Sequence, residues 1–269
     1  MKTLRFVFSG LILGFLWLGC VTTGPGGKTS LIVIPTSQEV AIGQAMAEEV
    51  AATEKELPDS AWQAYITEVG QRLVQVSDRR DIQYHFKVIE SDQINAFAAP
   101  GGYVYFYTGL LRMMENEAEL AAVMSHEISH VVARHGIKRL QAAMGVSLAY
   151  ELVFGDDASQ TFQTAVGVGM SLLFASYSRE NEREADDYAV TYMIRSGYDP
   201  TAMETMFDKL AASGSPSNAF ERLISSHPDT QERIRNTKSA VARNKPLPPN
   251  LRLGRDRYQQ MLQRLPTSG

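Results

Sequence analysis

Cysteine is nearly absent from this chain. Cys20 is the single cysteine among 269 residues, so no intramolecular disulfide can stabilise the fold. A metal site would therefore have to be built from histidine and carboxylate side chains. The hydrophobic fraction of 44% and the charged fraction of 21% are those of a globular protein, which excludes a disordered or fibrous chain.

Clustered positive charge is also lacking. The 26 Lys and Arg are outnumbered by 30 Asp and Glu, which gives a net charge of −4, and basic runs are no longer than two residues, as at Arg79-Arg80. Binding to a phosphate backbone needs a basic stripe or patch. We therefore expect no nucleic-acid partner.

Uninterrupted apolar runs are short, including the one at the N-terminus. Phe6–Gly19 form fourteen uncharged residues behind Lys2 and Arg5, whereas a bilayer-spanning helix needs roughly 18–20. A short apolar run behind basic residues is typical of a secretory signal peptide, which we assign to residues 1–19.

The residues that follow predict a lipid anchor. Residues 16–20, LWLGC, resemble a bacterial lipobox, in which cleavage leaves Cys20 as the lipid-bearing N-terminus. Residues 20–36 would then be the anchor linker. Because Trp17 stands where the lipobox usually has Leu, ordinary export and an uncleaved anchor are the alternatives.

The remaining sequence predicts helices around a small sheet. Apolar residues recur at helical spacing over residues 37–76, with a break at Leu57–Ser60, and again over residues 115–134 and 178–196. We expect Asp59 or Ser60 to cap the second helix and Gly136 to end the third.

Aromatic and β-branched runs on both sides of Pro100-Gly101-Gly102 predict strands joined by a turn. The predicted fold class is α+β, mostly α, with one domain over residues 37–245. A C-terminal tail over residues 246–269 would contain a short helix.

Residues 126–130, HEISH, contain the candidate metal ligands and a candidate general base. On a helix, positions i and i+4 differ by roughly 40°, so His126 and His130 present their imidazoles to one point, where they can hold a metal ion such as Zn²⁺. Glu127 would lie beside the metal, where it suits a general base. The alternative is two histidines on a solvated helix face, but the apolar neighbours of this segment disfavour it.

A catalytic zinc needs a third protein ligand. A third ligand six residues after His130 is excluded, because position 136 is Gly. His135 lies one residue before that position, so we expect it to be an ordinary residue at the end of the helix. Glu182 and Asp186 offer another solution at i and i+4, with Glu182 as ligand and Asp186 orienting an imidazole. Acid-rich helix faces are usually only solvated, and Glu184 is expected to be so.

A resemblance to a known family rests on three segments: residues 95–111 (NAFAAPGGYVYFYTGLL), 126–135 (HEISHVVARH) and 178–189 (SRENEREADDYA). Taken together, they resemble the M48 family of zinc metallopeptidases in its branch of exported, BepA-like bacterial lipoproteins. The resemblance covers about residues 37–240. It implies a gluzincin-type peptidase domain with a small mixed sheet and an active-site HExxH helix. The sequence shows no period of a helical-repeat domain, the part that would present partners in BepA-like enzymes. The resemblance therefore does not predict docking on an envelope assembly machine.

The resemblance also assigns the site. It implies one Zn²⁺ per chain, held by His126, His130 and Glu182, with Glu127 as base and Asp186 behind the ligands. It further implies that the strand with Asn95, Ala96 and Phe97 lies along the cleft and pairs with substrate. His227, before Pro228, matches a histidine that can cap the zinc in a closed form. The alternatives are a turn histidine and an oxyanion donor.

The expected function is that of a zinc endopeptidase of the bacterial envelope, lipid-anchored and facing the periplasm, at the outer membrane. Its substrates would be misfolded or misassembled envelope proteins. The alternatives are a latent zinc-bearing chaperone that holds clients with little cleavage and an integral-membrane member of the same family.

Overall fold

The computed structural model describes residues 20–23, 28–155, 158–212, 227 and 230–267. The expected signal peptide, residues 1–19, lies outside the described residues. The elements follow in this order: β1 (Cys20–Thr23), β2 (Lys28–Leu31), α1 (Thr36–Thr53), α2 (Ser60–Val74), β3 (His85–Ile89), β4 (Ala96–Ala99), β5 (Tyr103–Tyr107), α3 (Thr108–Met113), α4 (Glu117–Val132), α5 (His135–Phe154), α6 (Ala158–Leu172), α7 (Arg179–Arg195), α8 (Thr201–Ala212), α9 (Thr230–Arg243) and α10 (Arg255–Leu262).

The expected α+β class, mostly α, is confirmed. A mixed three-stranded sheet has the order β3-β5-β4, in which β3 is parallel to β5 and β4 is antiparallel to it. Pro100–Gly102 join β4 to β5, and Gly101 adopts a φ of 78°, a left-handed conformation that glycine reaches without a Cβ penalty. Within the segment that the sequence predicts as linker, β1 and β2 form an antiparallel hairpin.

The helix boundaries follow from local capping. The first two helices are separated where Leu57–Ser60 predict a break, and the Asp59 side chain accepts a hydrogen bond from the Trp62 N–H at 2.9 Å. Ser178 caps α7 in the same way, and Gly197 follows that helix with a φ of 81°. These caps satisfy N–H groups that the first turn of a helix leaves without partners.

The sheet separates two apolar cores. Ala96 and Ala98 of β4 face a core that includes α2, α4, α7 and Tyr258 of α10, while Phe97 and Ala99 face a second core beside α1, α5 and α6. Every residue of α4 except Val123 is buried. The helix that carries residues 126–130 therefore has no solvated face, which removes that alternative for its histidines.

The end of α4 differs from the prediction. The helix ends at Val132, and the chain turns at Arg134, which adopts a left-handed φ of 54°. Gly136 is not the cap; it lies in the first turn of α5, where an added Cβ would come within 3.3 Å of Pro100. The Arg134 side chain holds the turn, because its guanidinium donates to Glu39 at 2.8 Å and to the Ile34 carbonyl at 3.0 Å.

The apolar stretch that follows His135 is interrupted at Gly155, where α5 ends. In the part of the chain that the structure describes, no helix combines the length and the apolar character needed to cross a membrane.

Candidate metal centre

Four buried side chains converge beneath the sheet. His126, His130, Glu182 and His227 each offer one ligand atom, and these atoms lie within 4.8 Å of one another. The Nε2 atoms of His126 and His130 are 3.0 Å apart, and each lies 3.5 Å from an oxygen of Glu182. His227 Nδ1 is 3.3 Å from His126 Nε2 and 2.9 Å from Glu182 Oε1. The structure thus brings together all four predicted residues.

The spacing of these atoms fits one zinc ion. Ligands about 2.0–2.1 Å from a tetrahedral zinc lie roughly 3.3 Å from each other, and the measured separations surround that value. Glu182 Oε2 is buried and accepts no hydrogen bond among the described residues, although the Arg233 guanidinium forms an ion pair with it at 3.2 Å. Imidazole nitrogens and a carboxylate are the donors that catalytic zinc sites use. The cluster therefore suits a zinc ion.

The local sequence explains the convergence. His126 and His130 are four residues apart on α4, so both rings leave the same helix face. Glu182 lies in the first turn of α7, which packs along α4. His227 lies three residues before α9, which begins at Thr230.

Burial and neighbouring charges together set the protonation states of the ligand set. Burial lowers the pKa values of His126 and His130 well below the usual range, so both rings are neutral at pH 7 and keep a lone pair for a metal. Burial alone would raise the pKa of Glu182, but His227 and Arg233 outweigh it and hold that pKa well below its usual range. Glu182 is therefore an anion.

Glu127 lies next to the cluster on α4. Its carboxylate is 3.7 Å from His227 Nε2 and accepts a hydrogen bond from the Ala98 N–H of β4. Burial raises its pKa to about 7. A carboxylate with a pKa near 7 can both take up and release a proton at neutral pH.

Asp186 occupies the predicted place behind the ligands. Its Oδ1 lies 2.8 Å from His126 Nδ1, the ring nitrogen that faces away from the cluster. A carboxylate at that nitrogen fixes the tautomer and the ring orientation of a ligating histidine.

Arg233 of α9 completes this network, and no motif in the sequence predicts its role. Its guanidinium donates to both oxygens of Asp186, at 3.0 and 2.7 Å, and lies 3.2 Å from Glu182 Oε2. The residue is buried, with its charge over the Phe207 ring at 4.4 Å. The carboxylates that it binds, Asp186 and Glu182, are 47 or more residues away in sequence. No local pattern distinguishes Arg233 from the solvated arginines of the same helix.

His227 is buried between two carboxylates. Burial would lower its pKa, but Glu182 and Glu127 outweigh that effect and raise it. Its Nδ1 lies 2.9 Å from Glu182 Oε1, and its Nε2 lies 3.7 Å from Glu127 Oε1. The ring is buried and belongs to the donor cluster, which favours a capping or oxyanion role over the alternative of a turn histidine.

The predicted substrate strand is an edge of the described sheet. β4 pairs with β5 on one side only, and the Tyr107 N–H donates to the Asn95 carbonyl. Alternation along an antiparallel strand then directs the backbone groups of Ala96 and Ala98 to the unpaired edge, where the Ala98 N–H donates to Glu127. The Asn95 side chain is buried, and neither of its polar atoms has a partner among the described residues.

His135 departs from the prediction. It does not end α4 but begins α5, and it is fully buried with Nδ1 2.9 Å from His130 Nδ1. Glu184, expected to be solvated, has an 8% exposed side chain and lies 3.5 Å from His135 Nε2. The chain reversal at Arg134 is the reason, because in an uninterrupted helix position i+5 would point away from His130.

Two histidines and a glutamate around a zinc-sized space, with a second glutamate beside them, define a zinc-hydrolase type of site. Comparison with known families agrees. Residues 60–241, about two thirds of the chain, match the model of Peptidase family M48. The chain belongs to peptidase family M48, a family of zinc metallopeptidases, as the three motifs indicate.

Similar proteins include bacterial and mitochondrial peptidases. The beta-barrel assembly-enhancing protease of Yersinia pestis is 30% identical over 231 residues, 82% of this chain and 48% of that protein. The mitochondrial metalloendopeptidase OMA1 of Schizosaccharomyces pombe is 32% identical over 173 residues, 64% of this chain and 50% of that protein. Metalloprotease LoiP of Escherichia coli is 32% identical over 164 residues, 59% of this chain and 63% of that protein. The chain spans about half the length of most of these relatives.

Proposed function

We propose that this protein is a zinc-dependent endopeptidase of the bacterial cell envelope that hydrolyses peptide bonds of misfolded or misassembled proteins. One observation carries the proposal. The buried carboxyl group of Glu127 lies 3.7 Å from His227 Nε2, beside a set of donors in which His126, His130 and Glu182 suit one zinc ion. A metal site that served only to stabilise the fold would have no need of a further buried carboxyl group next to its ligands.

The roles of the residues follow from this geometry. Bound zinc would polarise the scissile carbonyl and lower the pKa of water. Glu127 accepts a proton from the attacking water and passes it to the leaving amine, which needs a group that both takes up and releases a proton at pH 7. Asp186 and Arg233 keep the His126 ring in place through the contacts described above.

The open edge of β4 supports an extended peptide as substrate. The N–H and carbonyl of Ala96 and the carbonyl of Ala98 can pair with an added strand, whereas the Ala98 N–H is donated to Glu127. Such pairing gives affinity through main-chain hydrogen bonds and little side-chain selectivity. The buried amide of Asn95, which has no partner among the described residues, offers a further donor and acceptor to a substrate backbone. Such binding suits unfolded chains of many sequences.

A second candidate function rests on His227. Its Nδ1 occupies the fourth donor position of the cluster, where an imidazole would displace the water that hydrolysis requires. This contact favours a latent form, either an enzyme that opens on a signal or a zinc-bearing chaperone that holds clients. We infer latency, because Glu127, which a chaperone does not need, is intact.

The envelope location is supported by the N-terminal sequence and by one relative. The signal-like residues 1–19 and Cys20 in a lipobox-like sequence favour export and lipid anchoring at the outer membrane, facing the periplasm. The relative from Yersinia pestis carries a name that ties it to beta-barrel assembly. Envelope proteins that fail to fold or assemble are then the substrates.

Metal analysis combined with proteolysis tests the proposal. We expect the purified protein to contain one zinc per chain and to cleave casein, and a chelator to abolish cleavage until zinc is restored. Cleavage that persists in the metal-free protein would contradict the proposal. Stoichiometric zinc without cleavage, also in the variant His227→Ala, would favour the chaperone.

A further inference from the structure

His126 and His130 of α4 have different partners at Nδ1, the ring nitrogen that faces away from the donor cluster. His126 Nδ1 faces the carboxylate of Asp186, whereas His130 Nδ1 faces a third imidazole, that of His135, at 2.9 Å. His135 Nε2 in turn lies 3.5 Å from Glu184 Oε2, and the other oxygen of Glu184 accepts a hydrogen bond from the Tyr188 hydroxyl at 2.6 Å. A relay of two rings and a carboxylate thus leads from the donor cluster toward the outer part of α7.

One arrangement of protons satisfies this relay. His130 Nε2 faces the donor cluster and must keep its lone pair to bind a metal, so the proton of this neutral ring is on Nδ1. That N–H donates to His135 Nδ1, which must then be unprotonated. The His135 proton is on Nε2, directed at the Glu184 carboxylate. Each atom of the relay has one role.

We propose that His135 is a positioning residue that fixes the tautomer and the ring orientation of His130 for metal binding, with Glu184 setting the tautomer of His135. The inference rests on the proposed metal role of His130. An acceptor behind a ligating imidazole raises its basicity and reduces the freedom of the ring. His135 would do for His130 what Asp186 does for His126.

The surroundings of His130 agree with this role. Tyr177 stacks on the His130 ring at a centroid distance of 4.0 Å and an interplanar angle of 24°. The Arg139 guanidinium lies over the Tyr177 ring at 4.3 Å. Stacking restricts tilt but leaves rotation within the ring plane. The hydrogen bond from Nδ1 to His135 restricts that remaining rotation.

The test compares metal affinity in His135→Leu and His135→Asn. Leu fills the space without an acceptor, whereas the Asn Oδ1 takes approximately the place of the His Nδ1. We expect His135→Leu to weaken zinc binding by about 10–100-fold, the range for partners of ligating histidines, and His135→Asn to recover most of the loss. The absorption spectrum of the cobalt-substituted protein should shift in the Leu variant and return toward wild type in the Asn variant. His85→Ala, on a strand away from the site, is the control.

Two results would overturn the proposal. One is wild-type zinc affinity and an unchanged cobalt spectrum in His135→Leu; the other is an equal loss in the Leu and Asn variants, which indicates packing alone. Where His135→Leu does not fold, as judged by circular dichroism, Glu184→Ala replaces it, with a several-fold weaker zinc affinity expected and unchanged affinity contradicting the relay. A wild-type protein that binds zinc through His130 but does not cleave casein would refute the proposed function and leave this inference standing.

Discussion

The buried carboxylate of Glu39 holds the end of the metal-site helix through two arginines. Arg79 donates to its two oxygens at 2.9 and 2.8 Å, and Arg134 donates to it at 2.8 Å. Arg79 also donates to the Val131 carbonyl in the last turn of α4. Glu39 is 1% exposed, and a further acid beside this cluster, Asp81, lies 3.6 Å from Arg79 with a 60% exposed side chain.

The substitution Glu39→Gln keeps the volume and removes the charge, which leaves two buried guanidinium groups without their shared anion. Breaking a buried ion pair from one side costs about 3–5 kcal/mol, out of a total stability of roughly 5–15 kcal/mol. With an m-value of about 3 kcal/mol per M, the upper end for small proteins, the urea midpoint falls by about 1–2 M.

Equilibrium urea unfolding of the metal-free protein measures this change. The matched control is Glu56→Gln, the same chemical change at a 50% exposed residue paired with Lys87, for which we expect less than about 1 kcal/mol. If Glu39→Gln shifts the midpoint no more than Glu56→Gln does, the Glu39 cluster does not hold α4 in the way described.

Three further predictions concern the site and the anchor. Glu182→Ala should lose tight stoichiometric zinc binding by metal analysis after dialysis, and retention with normal affinity would remove Glu182 from the ligand set. His227→Ala should keep zinc and cleave unfolded casein several-fold faster, because the fourth donor position is freed; loss of activity with zinc retained would instead make His227 the donor to the developing oxyanion. Cys20→Ala should release the protein from sedimented membranes into the soluble exported fraction, whereas unchanged pelleting after a salt wash would point to an uncleaved Phe6–Gly19 anchor.

Much of the fold is readable locally from the sequence. The break before α2 and the start of α7 are set by Asp59 and Ser178, whose side chains satisfy first-turn N–H groups wherever the chain folds. The turn at Pro100–Gly102 needs a left-handed residue, and glycine supplies it. The pair His126 and His130 is likewise local, because i,i+4 spacing on any helix aims both rings at one point.

The rest depends on contacts between distant segments. Arg233 looks like a solvated helix residue until α9 packs against α7, and its role depends on Asp186 and Glu182. His135 reaches His130 only because Arg134 reverses the chain, and that reversal depends on Glu39, 95 residues earlier. Periodicity within one helix contains no information on such partners.

The proposed peptide-bond hydrolysis depends on Glu127 as its base. The variant Glu127→Gln removes this base alone, because the amide fills the same volume but cannot accept the proton. We predict that the purified variant keeps one zinc per chain and the wild-type melting temperature, while its rate of casein cleavage falls by at least about 10²-fold. If a zinc-loaded Glu127→Gln protein cleaved casein at close to the wild-type rate, Glu127 would not be the base.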